Sequence, residues 1–399
     1  MEWKEVTLGE LGTIVGGATP STKNPSFYDG NIPWLTPKDL SVNSNMYILR
    51  GTRNITEVGF KSCSCKMLPK GSVLFSSRAP IGYVAIAAND MCTNQGFKSV
   101  IPNEETDSEF LYYLLKYNKN YIASQGSGTT FAEVSGKTMK DIEVVVPKEK
   151  ECQHRIASIL SSLDRKIELN NKINADLEEM AQAIFKNWFV DFEPFKDGKF
   201  VDSELGMIPE GWKVGTLGDI TKNKSAKVKE RNDVKVLSPV TTGELVLSEE
   251  YFTKQVFSSS IAKYKIVNKG DFAYNPARVN IGSLGRNEFD FDGCVSPVYV
   301  VFSVLDGYEN YFDLFRKTDF FKDSVASLAI GGVRQSLSYD DLSSIVVIIP
   351  SENAVEEFNN LYNQMKKTIK ANKLESSRLS LLRDTLLPRL MSGELEVPE

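Results

Sequence analysis

The sequence is poor in the residues that most catalytic and metal sites require. It holds one histidine, His154, and five cysteines in 399 residues. A Ser-His-Asp triad, an HExxH zinc site or a histidine-rich metal centre needs histidine beside other specific residues, and no such motif surrounds His154. We interpret it as a solvated helix residue. The odd, sparse set of cysteines argues against a disulfide framework and predicts a reducing, cytoplasmic location.

Long apolar segments are scarce as well. The aliphatic runs at 84–88 and 345–349 have five residues each, whereas a transmembrane helix needs about 20. Residues 1–5 show no basic region followed by an apolar one, so we expect no secretory signal. The sequence therefore predicts a folded protein without a membrane partner.

No large excess of one charge is present, because the net charge is −5. Most of the excess lies in 149–206, which has 8 Lys and Arg against 12 Asp and Glu. The flanking segments are nearly neutral, with 15 against 14 in 1–148 and 17 against 18 in 207–350. This balance neither demands nor excludes nucleic acid, so any DNA contact must come from local patches.

An internal repeat with a period near 200 residues organises the chain. Its matching segments are 3–11 and 212–220, 78–82 and 278–282, and 142–147 and 345–350. Both copies have short apolar runs separated by turn residues, which is typical of mostly β structure. One helix is predicted near 109–117 in the first copy and another near 311–322 in the second.

After each copy of the repeat, the spacing of apolar residues becomes that of an amphipathic helix. Apolar residues recur with a 3-4 spacing from Ile156 onward, and a shift of 202 residues reproduces the pattern. The predicted seam contains Ile156, Leu160, Leu163, Ile167, Asn170, Leu177, Ile184, Phe358, Met365, Ile369, Asn372, Leu379 and Leu386. Asn170 and Asn372 are polar residues within this apolar seam. Such polar seam positions lower the stability of a helix pair but specify its register and its partner helix. We predict antiparallel pairing within the chain; two independent amphipathic helices, each on its own β domain, are the alternative.

These patterns predict an α+β fold with a pseudo-two-fold internal repeat. Two tandem mostly-β domains, with one or two helices each, are joined by two long antiparallel coiled-coil spacer helices. A helix of about 35 residues is ~50 Å long. Such a symmetric arrangement suits duplex DNA, where half-sites lie about one turn, ~34–36 Å, or somewhat more apart.

Several motifs resemble the specificity subunits of type I restriction–modification systems. They are IPWLTPKDL at 32–40, SSRAPIG at 76–82, TNQGFK at 93–98, the helix entry at 153–174, WFVDF at 188–192 and LLPRLMSGE at 386–394. The resemblance covers essentially the whole chain, with both halves in order. It implies target-recognition domain 1 at 1–148, a central spacer helix and linker at 149–206, target-recognition domain 2 at 207–350, and a C-terminal spacer helix at 351–399 that pairs with the central one.

The resemblance also implies a function. Each recognition domain would read one half of a bipartite double-stranded DNA target, while the helices set the gap and dock two methyltransferase subunits that restriction motor subunits join. The chain would be a non-catalytic part of a restriction endonuclease and DNA adenine methyltransferase complex. S-adenosylmethionine, ATP and Mg²⁺ are expected on partner subunits and not on this chain. A structural adaptor without DNA contact, or a self-contained methyltransferase or nuclease, are the alternatives.

Candidate DNA contacts are side chains able to reach base edges or phosphates. In the first domain they are Thr36, Lys38, Ser76, Ser77, Arg78, Tyr83, Asn94, Gln95, Lys98, Thr129 and Thr130. In the second they are Lys222, Lys224, Lys227, Lys229, Arg231, Asn275, Arg278, Asn280, Arg334 and Gln335. Arg78 matches Arg278, which favours phosphate positioning or a framework role over base reading, since readers should differ if the half-sites differ. Trp34 is interpreted as a core residue.

Two further motifs do not predict cofactor or metal sites. The glycine-rich segment at 125–130 lacks the Gly-Lys-Ser/Thr of a P-loop, and is either a turn or a set of N–H and hydroxyl groups facing phosphate. Cys63 and Cys65 have no matching second pair, so no zinc site is predicted.

Overall fold

The chain forms two compact units, Met1–Ile173 with Lys370–Glu399, and Asn174–Ile369. The computed structural model describes residues 1–78, 80–128, 132–254, 257–258, 260–328 and 336–397. Each unit contains one copy of the sequence repeat together with part of each long helix. The units therefore differ from the four predicted segments, because helical segments pack into the core of the unit that contains them.

The first unit is built on sheets in which most strand pairs are antiparallel. Its strands are β1 (Trp3–Thr7), β2 (Gly12–Gly16), β3 (Tyr28–Leu35), β4 (Tyr47–Ile48), β5 (Arg53–Ile55), β6 (Val73–Phe75), β7 (Val84–Ala87), β8 (Cys92–Thr93), β9 (Lys98–Pro102) and β10 (Glu143–Pro147). The main sheet has the order β2-β9-β6-β7-β4, a smaller one has the order β5-β3-β8, and β1 pairs with β10. The pairs β3–β8 and β4–β7 are parallel.

The helices of the first unit cover these sheets. They are α1 (Leu8–Leu11), α2 (Pro37–Val42), α3 (Glu57–Lys61), α4 (Ser108–Tyr117), α5 (Lys119–Ser124), α6 (Gly136–Asp141) and the first part of α7 (Lys150–Phe189), with a 3-10 turn at Pro25–Phe27. The predicted helix near 109–117 is α4. Asp107 starts it, because its carboxylate accepts a hydrogen bond from Phe110 N at 2.8 Å, as an N-cap residue does.

The second unit repeats this strand order. Its strands are β11 (Phe200–Val201), β12 (Ile208–Pro209), β13 (Lys213–Thr216), β14 (Thr221–Lys224), β15 (Lys235–Pro239), β16 (Leu245–Leu247), β17 (Lys265–Val267), β18 (Phe272–Tyr274), β19 (Leu284–Arg286), β20 (Gly293–Val295), β21 (Val300–Val304) and β22 (Val346–Ile349). The sheet β14-β21-β18-β19 matches β2-β9-β6-β7, β13–β22 matches β1–β10, and the parallel pair β15–β20 matches β3–β8. The predicted duplicated α+β fold is thus confirmed.

One predicted helix of the second unit is wrong in extent. The helices are α8 (Ser248–Tyr251), α9 (Glu309–Phe315), α10 (Asp319–Leu328), α11 (Tyr339–Ser343) and α12 (Glu352–Met391), the last shared with the first unit, with 3-10 turns at Glu193–Phe195, Leu217–Asp219 and Val279–Ile281. The helix expected over 311–322 is divided into α9 and α10. The division follows from Thr318, whose hydroxyl accepts a hydrogen bond from Phe321 N at 3.3 Å and starts a new helix.

Helices α7 and α12 are 40 residues long and pair antiparallel in the first unit. Arg383 donates a hydrogen bond to an Asp164 carboxylate oxygen at 2.5 Å, and Asn170 Nδ2 donates to Ser376 Oγ at 3.3 Å. Residue numbers therefore rise along α7 as those of the facing residues fall along α12. Tyr113 of α4 donates its hydroxyl to Asp164 at 2.6 Å. This buried network fixes the register of the two helices against the sheet.

In the second unit the same two helices meet through aromatic rings. Phe358 lies 5.0 Å from Phe189 and 6.2 Å from Phe185, measured between ring centroids. Tyr311 of α9 packs 5.1 Å from Phe189. Edge-to-face contacts of this kind add about 0.5–1.5 kcal/mol to simple burial, so this end of the pair is stabilised mainly by apolar packing.

The predicted seam residues are buried to different degrees. Ile156, Leu160, Asn170 and Phe358 are buried, whereas Leu163, Ile167, Leu177, Ile184, Met365, Ile369, Asn372, Leu379 and Leu386 are half-buried. Asn170 also donates to Glu375 Oε2 at 2.8 Å, while its Oδ1 has no partner among the described residues. A buried amide with an unpaired oxygen costs free energy, which is the cost expected of a polar break that fixes register.

We expect Asp164→Ala to destabilise the first unit by about 1–3 kcal/mol, because it leaves the buried Tyr113 hydroxyl without its acceptor and leaves Arg383 with Asp384 as its remaining carboxylate partner. Native-state hydrogen exchange of the α4 amides in the purified chain measures this loss. Asp176→Ala, an exposed carboxylate on the same helix, is the control and should change stability by less than about 0.5 kcal/mol. Equal effects of the two substitutions would show that the buried network contributes nothing.

Candidate nucleic-acid interface

Three predicted segments of the first unit are adjacent in the fold. Ser77 N donates to Gly96 O at 2.7 Å, and Val134 N donates to Ser77 O at 2.9 Å. These bonds join the loop after β6, the turn before β9 and the segment before α6. The start of α2 joins them, because Asn94 N donates to Leu35 O at 2.9 Å. The structure thus brings most first-domain candidates into one region, here called the first patch: 36–38, 76–78, 80–83, 94–98 and 133.

Two serines of the first patch have structural roles, which corrects their assignment as DNA contacts. Ser76 and Ser77 are fully buried. Ser76 Oγ donates to Pro80 O at 2.9 Å and accepts from Tyr83 N at 2.8 Å, so it closes the loop between them. Ser77 contributes backbone bonds on both sides, and its buried hydroxyl has no partner among the described residues.

A carboxylate lies between two of the predicted cations. Glu133 Oε2 is 2.8 Å from Arg78 Nε, and Glu133 Oε1 is 3.3 Å from Lys98 Nζ. Partial burial favours the neutral acid, but Arg78 and Lys98 outweigh it and hold the pKa of Glu133 below its ordinary value. Glu133 carries no local sequence signal, since its partners lie 55 and 35 positions away in the chain.

The remaining candidates of the first patch divide into anchored and free side chains. Thr36 caps α2 through Asp39, which accepts from its N and Oγ1 at 2.7 Å. Asn94 Oδ1 accepts from Gly96 N at 2.8 Å, and Gln95 is hydrogen-bonded to Thr19. Lys38 is exposed and has no side-chain partner among the described residues.

The two aromatic residues of this region differ in exposure, and the assignment of Tyr83 as a DNA contact stays a prediction. Tyr83 is half-buried against a hydrophobic cluster. Trp34 is 7% exposed, and its indole N–H donates to Ala18 O at 3.0 Å. This agrees with its interpretation as a core residue, because a buried indole needs such a partner.

Two residues of the basic run in the second unit, Lys224 and Arg231, form ion pairs with carboxylates of the same unit. Lys224 Nζ lies 2.7 Å from a carboxylate oxygen of Asp271, which is buried. Arg231 pairs with Asp233 at 2.7 Å and Asp292 at 3.1 Å. These contacts show that Lys224 and Arg231 are already paired within the fold, and their assignment as DNA contacts stays a prediction. Lys222, Lys227 and Lys229 are exposed.

The candidates Asn275, Arg278 and Asn280 lie on the loop after β18, which matches the loop after β6. Leu337 N donates to Pro276 O at 3.2 Å, the counterpart of the bond from Val134 to Ser77. The repeated Ile-Gly motif has a conformational reason, because Gly82 and Gly282 have φ of 97° and 94°, where glycine is favoured. Arg278 is exposed and has no side-chain partner among the described residues.

Four candidates, Thr129, Thr130, Arg334 and Gln335, lie outside the described residues. Within the described ranges, no group of three or more His, Cys, Asp and Glu is arranged to hold a metal ion. His154, which is 60% exposed, lies 3.1 Å from an Asp107 oxygen through Nδ1.

In the part of the chain that the structure covers, every helix is too short or too polar to cross a membrane.

Comparison with known proteins decides the family. A model described as "Type I restriction modification DNA specificity domain" matches residues 1–179. The MjaIX specificity subunit of a type I restriction enzyme from Methanocaldococcus jannaschii is 36% identical over all of this chain and 94% of that protein. This chain belongs to the family of type I restriction enzyme specificity subunits. The HindI specificity subunit from Haemophilus influenzae is 25% identical over 99% of this chain and its own full length.

A solved structure shares the fold. The crystal structure of a type I system S subunit from Mycoplasma genitalium gives a TM-score of 0.61 at 17% identity and covers 98% of this chain and 96% of its own. Membership of the specificity-subunit family makes the chain the DNA-specificity component of a restriction–modification complex and not its catalytic subunit. The patch residues described above are accordingly candidates for recognising DNA.

We expect Lys38→Ala to weaken DNA binding by the assembled complex equally for all sequences, because an exposed lysine without an internal partner is suited to a phosphate contact. The slope of log K against log salt should fall by about 0.9. Fluorescence anisotropy over a salt series measures both quantities. Lys4→Ala, on the separate β1–β10 pair, removes another exposed lysine of this unit and should leave the slope unchanged; identical slopes for both variants would remove Lys38 from the interface.

Proposed function

We propose that each β region of this specificity subunit reads one half of a bipartite double-stranded DNA target. The observation that supports the proposal is that both units have the same arrangement of strands and loops but different side chains at equivalent loop positions. The strand order, the Arg-x-x-Ile-Gly loop and the bond from Val134 or Leu337 recur in both units. The side chains at the equivalent loop positions differ, and two different half-sites require this of their readers.

Paired helices α7 and α12 are proposed to set the unread gap and to dock two methyltransferase subunits, which restriction motor subunits then join. Exposed apolar side chains on helices support a protein partner. In the first unit Leu374 and Leu381 of α12 are 53% and 71% exposed, and in the second unit Met180 of α7 is 51% exposed. Helix α7 itself carries six Lys and Arg against six Asp and Glu, so it lacks the basic excess typical of a helix that binds phosphates.

The chemistry of the complex is proposed to reside in the partners. S-adenosylmethionine for adenine methylation, and ATP and Mg²⁺ for restriction, would bind to the methyltransferase and motor subunits. This chain would contribute affinity for a particular sequence. Cytoplasmic operation follows from the same proposal, because its DNA and subunit partners act there.

Exchanging residues 207–350 for the matching segment of another specificity subunit should change one half of the methylated sequence and leave the other half as it was. The reason is that the first unit keeps all of its patch residues. The measurement is single-molecule mapping of methylated adenines in cells that express the hybrid with the methyltransferase subunit. The reciprocal exchange of 1–148 is the control. A hybrid that alters both halves, or a wild-type complex that methylates no bipartite sequence, would contradict the proposal.

A matched heptad insertion tests the spacing role of the helices. We expect seven residues added between Asn170 and Leu177, together with seven between Ile369 and Ser376, to lengthen the pair by ~10 Å. The methylated sequence should then contain about three more base pairs in its gap. A heptad in only one helix should instead separate Asn170 from Ser376 and reduce the yield of folded protein. A gap that stays the same with the paired insertion would contradict the ruler model.

A further inference from the structure

Glu133 occupies an equivalent place to Ser336 in the other unit. Each residue precedes a fully buried apolar anchor, Val134 or Leu337. Each anchor is followed by a serine that caps a short helix: Ser135 Oγ accepts from Thr138 N at 3.0 Å, and Ser338 Oγ accepts from Asp341 N at 3.1 Å. The two units therefore hold this position in the same backbone setting but place a carboxylate there in one unit and a hydroxyl in the other.

The Glu133 backbone is fixed on both sides. Ser127 N donates to Glu133 O at 3.0 Å, and Glu133 N donates to Ser127 O at 2.9 Å. Its peptide also forms a bridge with that of Arg78. A residue whose backbone is held in this way loses little backbone entropy when it binds a ligand, which suits a recognition role.

The Glu133 side chain is also oriented and partly solvent-accessible. Arg78 and Lys98 each hold one carboxylate oxygen, and the side chain is 33% exposed. An ionised carboxylate has about four lone-pair sites, so these two contacts leave acceptor capacity. The two cations also offset its charge, which removes the repulsion that would otherwise keep a carboxylate away from DNA phosphates.

We propose that Glu133 reads one base pair of the first half-site by accepting a hydrogen bond from the N4 amino group of cytosine in the major groove. This inference rests on the proposed function and names a specificity-determining residue for it. Cytosine is the base whose major-groove edge offers a donor without an adjacent acceptor of its own, and carboxylates recognise it for that reason. Arg78 and Lys98 act as positioning residues, because each holds one oxygen of the Glu133 carboxylate.

The opposing interpretation makes Glu133 only a counter-ion for Arg78 and Lys98. The two roles predict different defects in a Gln variant of the same size. Loss of a counter-ion alters the affinity for all sequences together, because phosphate contacts carry no sequence information. Loss of a base contact alters the preference at one position, and Gln can accept and donate to adenine there.

The test uses the complex of this chain with its methyltransferase subunit, in wild-type form and as Glu133→Gln. We expect methylome mapping to show that one C·G pair of the first half-site loses roughly tenfold in preference and that A·T becomes tolerated there. The second half-site and the gap should not change. Glu143→Gln is the matched control, since Glu143 is an exposed carboxylate of β10 in the same unit.

Each outcome decides the matter. A wild-type complex with a bipartite sequence and a Glu133→Gln complex with the same sequence would overturn the inference while leaving the proposed function intact. A uniform loss of binding at all positions would support the counter-ion role and also overturn it. A wild-type complex without any bipartite sequence would overturn the proposed function first. Glu133→Asp provides a folded, charged alternative if the Gln variant is not recovered, and should reduce discrimination at the same single position.

Discussion

The pairing of α7 with α12 is the constraint on which both units depend. In the first unit, Ile156 of α7 and Leu390 of α12 share one hydrophobic core with the sheet residue Val73. In the second unit, Phe185 and Phe358 share another with α9. Neither β region therefore closes its core with its own strands alone. Each requires a segment from both helices, and those segments are distant in sequence from one another.

The two ends of the pair are not interchangeable, although the helices descend from the same repeat. The two helices are related by a shift of 202 residues. Lys366 of α12 is therefore equivalent to Asp164 of α7, and Ala181 of α7 is equivalent to Arg383 of α12. Pairing α7 with a second copy of α7 would therefore set Asp164 against Ala181. The Asp164 carboxylate would lose its guanidinium in a buried site, which costs several kcal/mol. The charge pair thus favours the α7–α12 pairing of a single chain over pairing between copies.

Periodicity made the repeat, the seam and the strand-rich halves predictable, because each depends on side chains close together in sequence. Contacts between distant residues were not predictable in the same way. Lys224 looks like a free cation in a basic run, yet it pairs with Asp271, 47 positions away. Ser76 looks like a DNA contact within a polar motif, yet its hydroxyl closes a buried loop. Glu133 gave no signal at all, since only the folded chain brings Arg78 and Lys98 to it.

The internal ion pairs also bear on how a near-neutral chain can select a DNA sequence. Arg78, Lys98, Lys224 and Arg231 are each engaged by carboxylates of the fold, which leaves fewer cations for phosphates. Non-specific binding arises almost entirely from phosphate contacts and counterion release. A surface whose cations are paired with its own carboxylates therefore offers fewer phosphate contacts, so we expect it to bind random DNA weakly. Its affinity for a target must come in larger part from base edges and duplex shape, and this raises the ratio of specific to non-specific binding.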